Sequence, residues 1–214
     1  RVTGAAAWRR TGAAVAAALL ACGLTVSASA QGSTRSAAEL MDAVMWNREP
    51  IGGAFALTAQ NGRTRTDTDF RGRLLLVYFG FTYCPDICPT DLQQIGLAMD
   101  QLGDSAESVQ PLFITLDPER DTAEHLAQYV PLFHPRLIGL TGSTDAVRNA
   151  ADAYRVYYKR VTAGSRPDDY TVDHSAFIYL MDRDGKYLTF FPPGTDAAKI
   201  VGMVRAYLRG GAER

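Results

Sequence analysis

The sequence contains few of the side chains on which metal-binding and redox proteins depend. Among 214 residues there are three cysteines and three histidines. Cys84 and Cys88 are separated by three residues, and no second cysteine pair completes a four-ligand zinc site. Redox enzymes usually separate their paired cysteines by two residues, so the spacing is unusual for them as well. The pair therefore needs a different explanation.

An excess of positive charge is also missing. The chain has 22 basic and 23 acidic residues and a net charge of −1, which leaves no basic surface for a nucleic acid. Its 47% hydrophobic and 21% charged content is ordinary for a globular protein, and its length suits one domain with a short extra segment. We therefore expect no nucleic acid among its partners.

The N-terminus lacks an apolar run of the length that usually spans a membrane. Two arginines precede an alanine- and leucine-rich stretch over residues 11–26, which is shorter than the roughly 20 residues of a spanning helix. An Ala-Ser-Ala site follows at residues 28–30, and the pattern predicts a secretory leader over residues 1–30. Lipidation at Cys22, in a Leu-Leu-Ala-Cys motif, and a retained membrane anchor stay open as alternatives. All three place the folded part outside the cytoplasm.

The rest of the chain divides into a tether, residues 31–50, and a domain, residues 51–214. In that domain the turn dipeptide Asn61-Gly62 predicts an N-terminal hairpin. Strands are expected at residues 74–79, 112–116, 137–140, 176–181 and 186–191. Helices are expected over residues 92–102, 121–133 with Asp121 and Glu124 as a capping pair, 143–154 and 200–208. This order predicts an α/β, thioredoxin-like fold with an N-terminal β-hairpin extension and an inserted strand and helices.

The two cysteines fall where the central strand leads into the next helix. Cys84 is expected at the exit of the strand and Cys88 in the first turn of the helix. Helix N-termini present unpaired N–H groups and a partial positive charge, which stabilise a thiolate. Both sulfurs should face one region, so they can form a disulfide when oxidised or act as two soft ligands when reduced. A disulfide in so small a loop would stabilise the fold little, which argues against a purely structural role.

A third ligand is expected from one of the three histidines. We interpret His125 as a solvated helix residue and His134 as a structural loop residue. His174 is different, because it immediately precedes the strand at residues 176–181, in the place where thioredoxins put a cis-proline beside their cysteines. Two thiolates and one imidazole select Cu(I) and tolerate Cu(II), whereas structural zinc usually takes a fourth ligand. The residues therefore favour copper handling at Cys84, Cys88 and His174.

Four motifs extend this interpretation to most of the domain. They are Gly52-Gly53-Ala54-Phe55, the run from Val77 to Thr90 that contains both cysteines, Leu116-Asp117-Pro118-Glu119-Arg120-Asp121-Thr122, and Asp173-His174-Ser175. From about Gly52 to the C-terminus the chain resembles the Sco (SenC) family of thioredoxin-like copper proteins. Ala54 replaces a proline that is common in the family, and Ala59 replaces a common aspartate. Both differences affect the N-terminal hairpin and leave the metal site unchanged.

The resemblance implies both a role and a location. It makes Cys84, Cys88 and His174 the copper ligands of a metallochaperone that helps to assemble the CuA centre of cytochrome c oxidase. The implied partners are the copper-bearing subunit of the oxidase or another copper protein, and a thiol reductant. The implied location is the periplasmic side of a bacterial inner membrane, with membrane association through the N-terminal segment.

Other residues and other functions remain to be considered. Asp86 and Asp173 flank the ligands and could orient the site. The charged loop over residues 117–121 could be a docking surface. The main alternative function is a thiol–disulfide oxidoreductase or redox sensor, in which one cysteine attacks and the other resolves. An interaction module with an inert disulfide is a further alternative, and a peroxidase is weaker still, because Phe81 occupies the place of that family's threonine. We favour the metallochaperone over an enzyme.

Overall fold

The computed structural model describes residues 50–166 and 169–210. The predicted leader, the lipidation candidate Cys22 and the tether as far as residue 49 lie outside the described residues. Within the part of the chain that is described, no helix is long and apolar enough to cross a membrane.

A seven-stranded sheet forms the centre of the domain. Its strand β3, Leu74–Gly80, is buried along its whole length, as expected for a continuous apolar run that lies between two other strands. It pairs in parallel with β4, Val109–Thr115, and antiparallel with β8, Ile178–Met181. The remaining strands are β1 (Ala56–Ala59), β2 (Thr64–Thr66), β5 (Ile138–Thr141) and β9 (Tyr187–Phe191), in the order β2-β1-β5-β4-β3-β8-β9.

Helices connect these strands, and each of them overlaps a helix that the sequence predicts. The described α-helices are α1 (Ile87–Leu102), α2 (Ala123–Tyr129), α3 (Thr144–Ala153) and α4 (Ala197–Leu208). α1 ends at Gly103, whose φ of 58° is unfavourable for other residues. Ser143 and Asp196 cap α3 and α4 by accepting hydrogen bonds from backbone N–H groups in the first turn. The thioredoxin-like fold, the N-terminal hairpin and the inserted strand and helices are confirmed.

The cap predicted for α2 is wrong. Thr122, and not Asp121, precedes the helix, and its Oγ1 accepts a hydrogen bond from the N–H of His125 at 3.2 Å. The helix also ends earlier than predicted, at Tyr129, and continues as a 3₁₀ turn over Val130–Leu132. Pro131 lies in this turn and has no N–H to donate to an α-helical hydrogen bond, which accounts for the change.

A second hairpin was missed by the sequence analysis. β6, Tyr158–Thr162, pairs antiparallel with β7, Tyr170–His174, in a two-stranded sheet separate from the main one. Most residues of β6 are exposed, so neither an apolar run nor a strict alternation marks the strand. His174 is consequently the last residue of a strand that was not predicted, and it still precedes the strand β8, as expected.

Candidate metal centre

The junction between β3 and α1 positions both cysteines. Cys84 lies in the connecting loop, where its N–H donates a hydrogen bond to the carbonyl of Phe81 at 3.2 Å. Cys88 is the second residue of α1 and is fully buried. Gly80, at the end of β3, leaves room for it, because a Cβ at that position would lie 2.9 Å from the Cys88 Sγ. The predicted places of the two cysteines are confirmed.

The third predicted residue approaches from β7. The Nε2 of His174 lies 3.4 Å from the Sγ of Cys88, although the two residues are 86 positions apart. The potential ligand atoms of Cys84, Cys88 and His174 all lie within 4.8 Å of one another, and both cysteines are free thiols. Among the described residues, no other group of three or more histidine, cysteine or acidic side chains converges in this way. The ring of His174 is also held edge-on against Phe81, with centroids 5.9 Å apart.

The two thiols differ in their acidity. The hydrogen bond from Cys88 lowers the pKa of Cys84 to about 3, with further support from His174 and from the backbone N–H groups of Asp86 and Cys88, against the effect of burial. The same hydrogen bond, together with burial, raises the pKa of Cys88. Cys84, which is half-buried, is therefore the more acidic of the two thiols, and the enclosed Cys88 is the less acidic.

Two polar groups that the sequence analysis missed lie behind the cysteines. Tyr78 and Asp91 are both fully buried, and their side chains interact with each other. Asp91 Oδ1 accepts a hydrogen bond from the N–H of Gly194 at 2.8 Å, and burial raises the pKa of its carboxyl group. Asp91 follows Cys88 by three positions, so a carboxylate on the apolar face of a predicted helix was the available signal.

The two acidic residues beside the ligands lie at the surface. Asp86 is exposed at the start of α1, and its side chain makes no capping hydrogen bond, whereas its backbone N–H contributes to the acidity of Cys84. Asp173 is exposed on β7, where it lies opposite Lys159. Neither carboxylate belongs to the converging group of Cys84, Cys88 and His174.

The charged loop over residues 117–121 is largely buried, so its interpretation as a docking surface is corrected. Asp117 and Asp121 have no exposed surface. Asp121 accepts hydrogen bonds from the backbone N–H of Thr82 at 3.0 Å, from its Oγ1 at 2.5 Å and from Thr115 Oγ1 at 2.6 Å. Of the charged residues in this loop, Glu119 alone is exposed. A buried carboxylate needs such partners, which explains why these charges point inward.

The other two histidines lie away from the converging group. His125 is half-buried rather than solvated, because its Nε2 lies 2.9 Å from Thr82 Oγ1 and its ring stacks on Tyr83 at 5.7 Å. His134 has the predicted structural role, since its Nδ1 accepts a hydrogen bond from the N–H of Arg136 at 3.1 Å. His174 is thus the one described histidine in the cysteine site.

Comparisons with known proteins agree on one family. A sequence model of the SCO1/SenC family matches residues 44–209. The mitochondrial SCO2 homologue of Homo sapiens is 48% identical over 162 residues, which cover 73% of this chain and 59% of that protein. The chain therefore spans well under two thirds of the length of that relative.

Two solved structures are also similar. ScoI of Arabidopsis thaliana with copper bound is 40% identical, with a TM-score of 0.68 and coverage of 74% of this chain and 99% of that one. ScoI of Bradyrhizobium japonicum with copper bound is 41% identical, with the same TM-score and coverage of 73% and 99%.

Proposed function

This chain belongs to the SCO1/SenC family, and we propose that it is a copper metallochaperone that holds Cu(I) with Cys84, Cys88 and His174. The observation that carries the proposal is the convergence of these three ligand atoms within 4.8 Å, from the β3–α1 junction and from the separate β6–β7 hairpin. Thiolates select soft Cu(I), and the added imidazole also accommodates Cu(II). The copper-bound structures of two relatives support the choice of metal.

Copper is the cargo of this site rather than a permanent part of it. Loading Cu(I) requires Cys88 to give up its proton, and two thiolates with one Cu(I) carry a net charge of −1. The positive end of α1 offsets part of that charge. Three ligands leave room for an incoming group, so copper can pass to another protein by ligand exchange, without a change of oxidation state.

We propose the copper-bearing subunit of cytochrome c oxidase, at its CuA centre, as the recipient, with another extracytoplasmic copper protein as the alternative. The family resemblance supports this choice. The proposed organisation is a leader or membrane anchor over residues 1–30, a tether over residues 31–50 and the copper-binding domain from residue 51. Mass analysis and membrane retention of a Cys22→Ser variant test the lipidated form, which is contradicted if retention is unchanged and the mass changes by no more than the substitution itself.

A second function, thiol–disulfide exchange, is favoured by the asymmetry of the two thiols. The partly exposed Cys84 has the low pKa that suits an attacking thiolate, and the buried Cys88 would resolve the mixed disulfide. In that reaction Cys84 attacks a partner disulfide, Cys88 then displaces the partner's thiol, and two electrons pass to the partner. The two functions are compatible, because copper loading requires reduced thiols.

Variants of the three ligands separate these functions. Cys84→Ser and Cys88→Ser should each abolish the internal disulfide and tight Cu(I) binding. His174→Ala should leave disulfide formation intact and lower Cu(I) affinity. The loss should exceed the roughly 10- to 100-fold that is typical when the substituted residue only hydrogen-bonds to a metal ligand. His134→Gln is the matched control, because it removes an imidazole outside the site and should bind Cu(I) as the parent does.

The measurements are anaerobic competition for Cu(I) and mass detection of the internal disulfide on all variants. About one equivalent of copper on the reduced parent is expected. Parent-like Cu(I) affinity in His174→Ala contradicts the ligand assignment. No copper on the reduced parent leaves thiol–disulfide exchange as the better account.

A further inference from the structure

The hairpin that carries His174 lies outside the main sheet. β6 and β7 pair with each other, and most of their residues are exposed or half-buried. Val172 is the one residue of the two strands that is fully buried. Apolar burial alone therefore fixes the hairpin weakly, and polar contacts must contribute to its position.

Such contacts converge on Asp117, which follows β4. Its carboxylate accepts hydrogen bonds from the hydroxyl of Tyr170 at 2.7 Å, from Arg160 at 3.4 Å and from the Nε of Arg120. Tyr170 is in β7 and Arg160 in β6, so one buried carboxylate binds both strands of the hairpin. We call Asp117, Arg120, Arg160 and Tyr170 the Asp117 cluster.

Arg120 connects this cluster to the loop of Cys84. Its guanidinium lies over the ring of Tyr170 at 3.7 Å and over the ring of Tyr83 at 4.7 Å. Its Nη1 also donates to the backbone carbonyl of Tyr170 at 3.1 Å. Tyr83 directly precedes Cys84, and Tyr170 begins the strand that His174 ends. A single side chain thus contacts both segments from which ligands come.

We infer that the Asp117 cluster positions the imidazole of His174 against the two cysteines, by fixing the β6–β7 hairpin to the loop that carries Cys84. The contacts above carry the positioning of His174. The expected effect on copper binding rests on the proposed function. The planar fork of arginine suits this task, because it can hydrogen-bond in its plane while its faces stack on two aromatic rings. Lysine at position 120 could not make the same contacts.

Substitutions at Tyr170 test the inference with little damage to the buried charges. Tyr170→Leu removes the hydroxyl and the ring, whereas Tyr170→Phe keeps the ring under the guanidiniums of Arg120 and Arg160, which lie 3.7 Å and 4.6 Å from its centroid. The matched control is Arg166→Ala, because Arg166 pairs with Asp169 within the same hairpin and is exposed. A variant of Arg120 is less suitable, since it leaves the carboxylate of Asp117 with one cation fewer in a buried site.

The first measurement needs no metal. Hydrogen exchange of the β6 and β7 amides in the reduced apoprotein should be about tenfold faster in Tyr170→Leu, as expected for losing a hydrogen bond to a charged group. Exchange in α1 should be unchanged. Tyr170→Phe should show a smaller increase, and Arg166→Ala should match the parent.

The second measurement uses copper itself. Tyr170→Leu should lose about 10- to 100-fold in Cu(I) affinity, and its Cu(II) form should show weaker nitrogen hyperfine coupling, since the imidazole is less often bound. Tyr170→Phe should keep most of the Cu(I) affinity and most of the nitrogen hyperfine coupling of the parent. The internal disulfide should form equally in all variants, because both cysteines lie outside the hairpin.

Two results would overturn the inference. One is parent-like hairpin exchange and parent-like copper spectra in folded Tyr170→Leu. The other is faster exchange in α1 and the hairpin alike, which would mean general destabilisation. If the parent itself binds no copper, the proposed function fails, yet the exchange measurement still decides whether the Asp117 cluster fixes the hairpin.

Discussion

The cysteine side and the histidine side of the site are built by different forces. Cys84 and Cys88 lie in the loop and the helix that follow β3, whose seven residues are all buried in the main sheet. His174 ends a two-stranded hairpin whose surface is mostly exposed and which polar contacts attach to the domain. Burial therefore holds the thiols in a rigid frame, whereas hydrogen bonds and aromatic contacts place the imidazole. Stability and ligand geometry should respond differently to changes on the two sides.

The largest effect on stability is expected on the cysteine side. Leu76 in β3 is fully buried between Pro111 of β4 and Leu180 of β8. Leu76→Ala removes buried methyl groups and leaves a cavity, so the free energy of unfolding should fall by about 2–5 kcal/mol. Urea denaturation of the reduced apoprotein measures it. A loss below about 1 kcal/mol would contradict the view that burial holds the cysteine side of the site more firmly than the histidine side.

A smaller loss is expected where β3 meets the thiols. The Cβ of Gly80→Ala would lie 2.9 Å from the Cys88 Sγ, 3.0 Å from the ring of Tyr78 and 3.2 Å from that of Phe113. Overpacking of this kind typically costs about 1–3 kcal/mol, and displacement of the sulfur should also lower Cu(I) affinity. Urea denaturation and Cu(I) competition measure the two effects.

Gly202→Ala is the control for the Gly80 variant. Gly202 lies in α4 with open space where a Cβ would be, so alanine should raise stability by up to about 1 kcal/mol through its better helix propensity. Copper binding should not change. If Gly80→Ala behaves in the same way as Gly202→Ala, the frame around Cys88 is looser than its contacts indicate.

The same division decided what the sequence could predict. The apolar run of β3, the helical spacing through Leu92 and Leu102 and the glycine after α1 each have one common structural meaning, and all were predicted correctly. β6 and β7 carry neither an apolar run nor a clear alternation, because most of their side chains face solvent. Their pairing depends on contacts between distant residues, which local patterns do not encode.

The site was predicted in part for the same reason. The position of Cys84 and Cys88 between a predicted strand and a predicted helix placed them at a helix N-terminus, and the position of His174 before a predicted strand suggested its proximity. The orientation of charged residues was not predictable, since Asp117 and Asp121 are exposed in most contexts but are buried here by partners from other elements. His125 was misplaced likewise, because its partner Thr82 is 43 positions away.

A still smaller effect, with a characteristic pH dependence, is expected at Asp91. Burial raises the pKa of its carboxyl group above that of the unfolded chain, which is about 3.9. Its contribution to stability is then fully present below the unfolded pKa and is lost as the pH rises through the folded pKa. Asp91→Asn keeps an acceptor for the N–H of Gly194 and removes the ionisation. The free energy of unfolding of the variant should therefore depend less on pH than that of the parent.

Urea denaturation of parent and Asp91→Asn apoprotein at about pH 4 and about pH 7 tests this expectation. The stability of the parent minus that of the variant should decrease as the pH rises. Taking the difference removes the titration of groups that do not interact with Asp91. A difference that increases with pH would show that the fold stabilises the carboxylate form of Asp91.

The smallest effect is expected on the outer surface of the histidine side. Val161 in β6 is 41% exposed and lies opposite Thr171 in β7. Val161→Thr keeps a β-branched side chain suited to a strand, so the free energy of unfolding should change by no more than about 0.5 kcal/mol. Cu(I) affinity should also be unchanged, because the substitution leaves the Asp117 cluster intact. Denaturation and copper competition, run beside Gly80→Ala, measure both quantities. A loss as large as that of Gly80→Ala would mean that this surface is packed against another part of the protein, and the hairpin would then be held by burial as well.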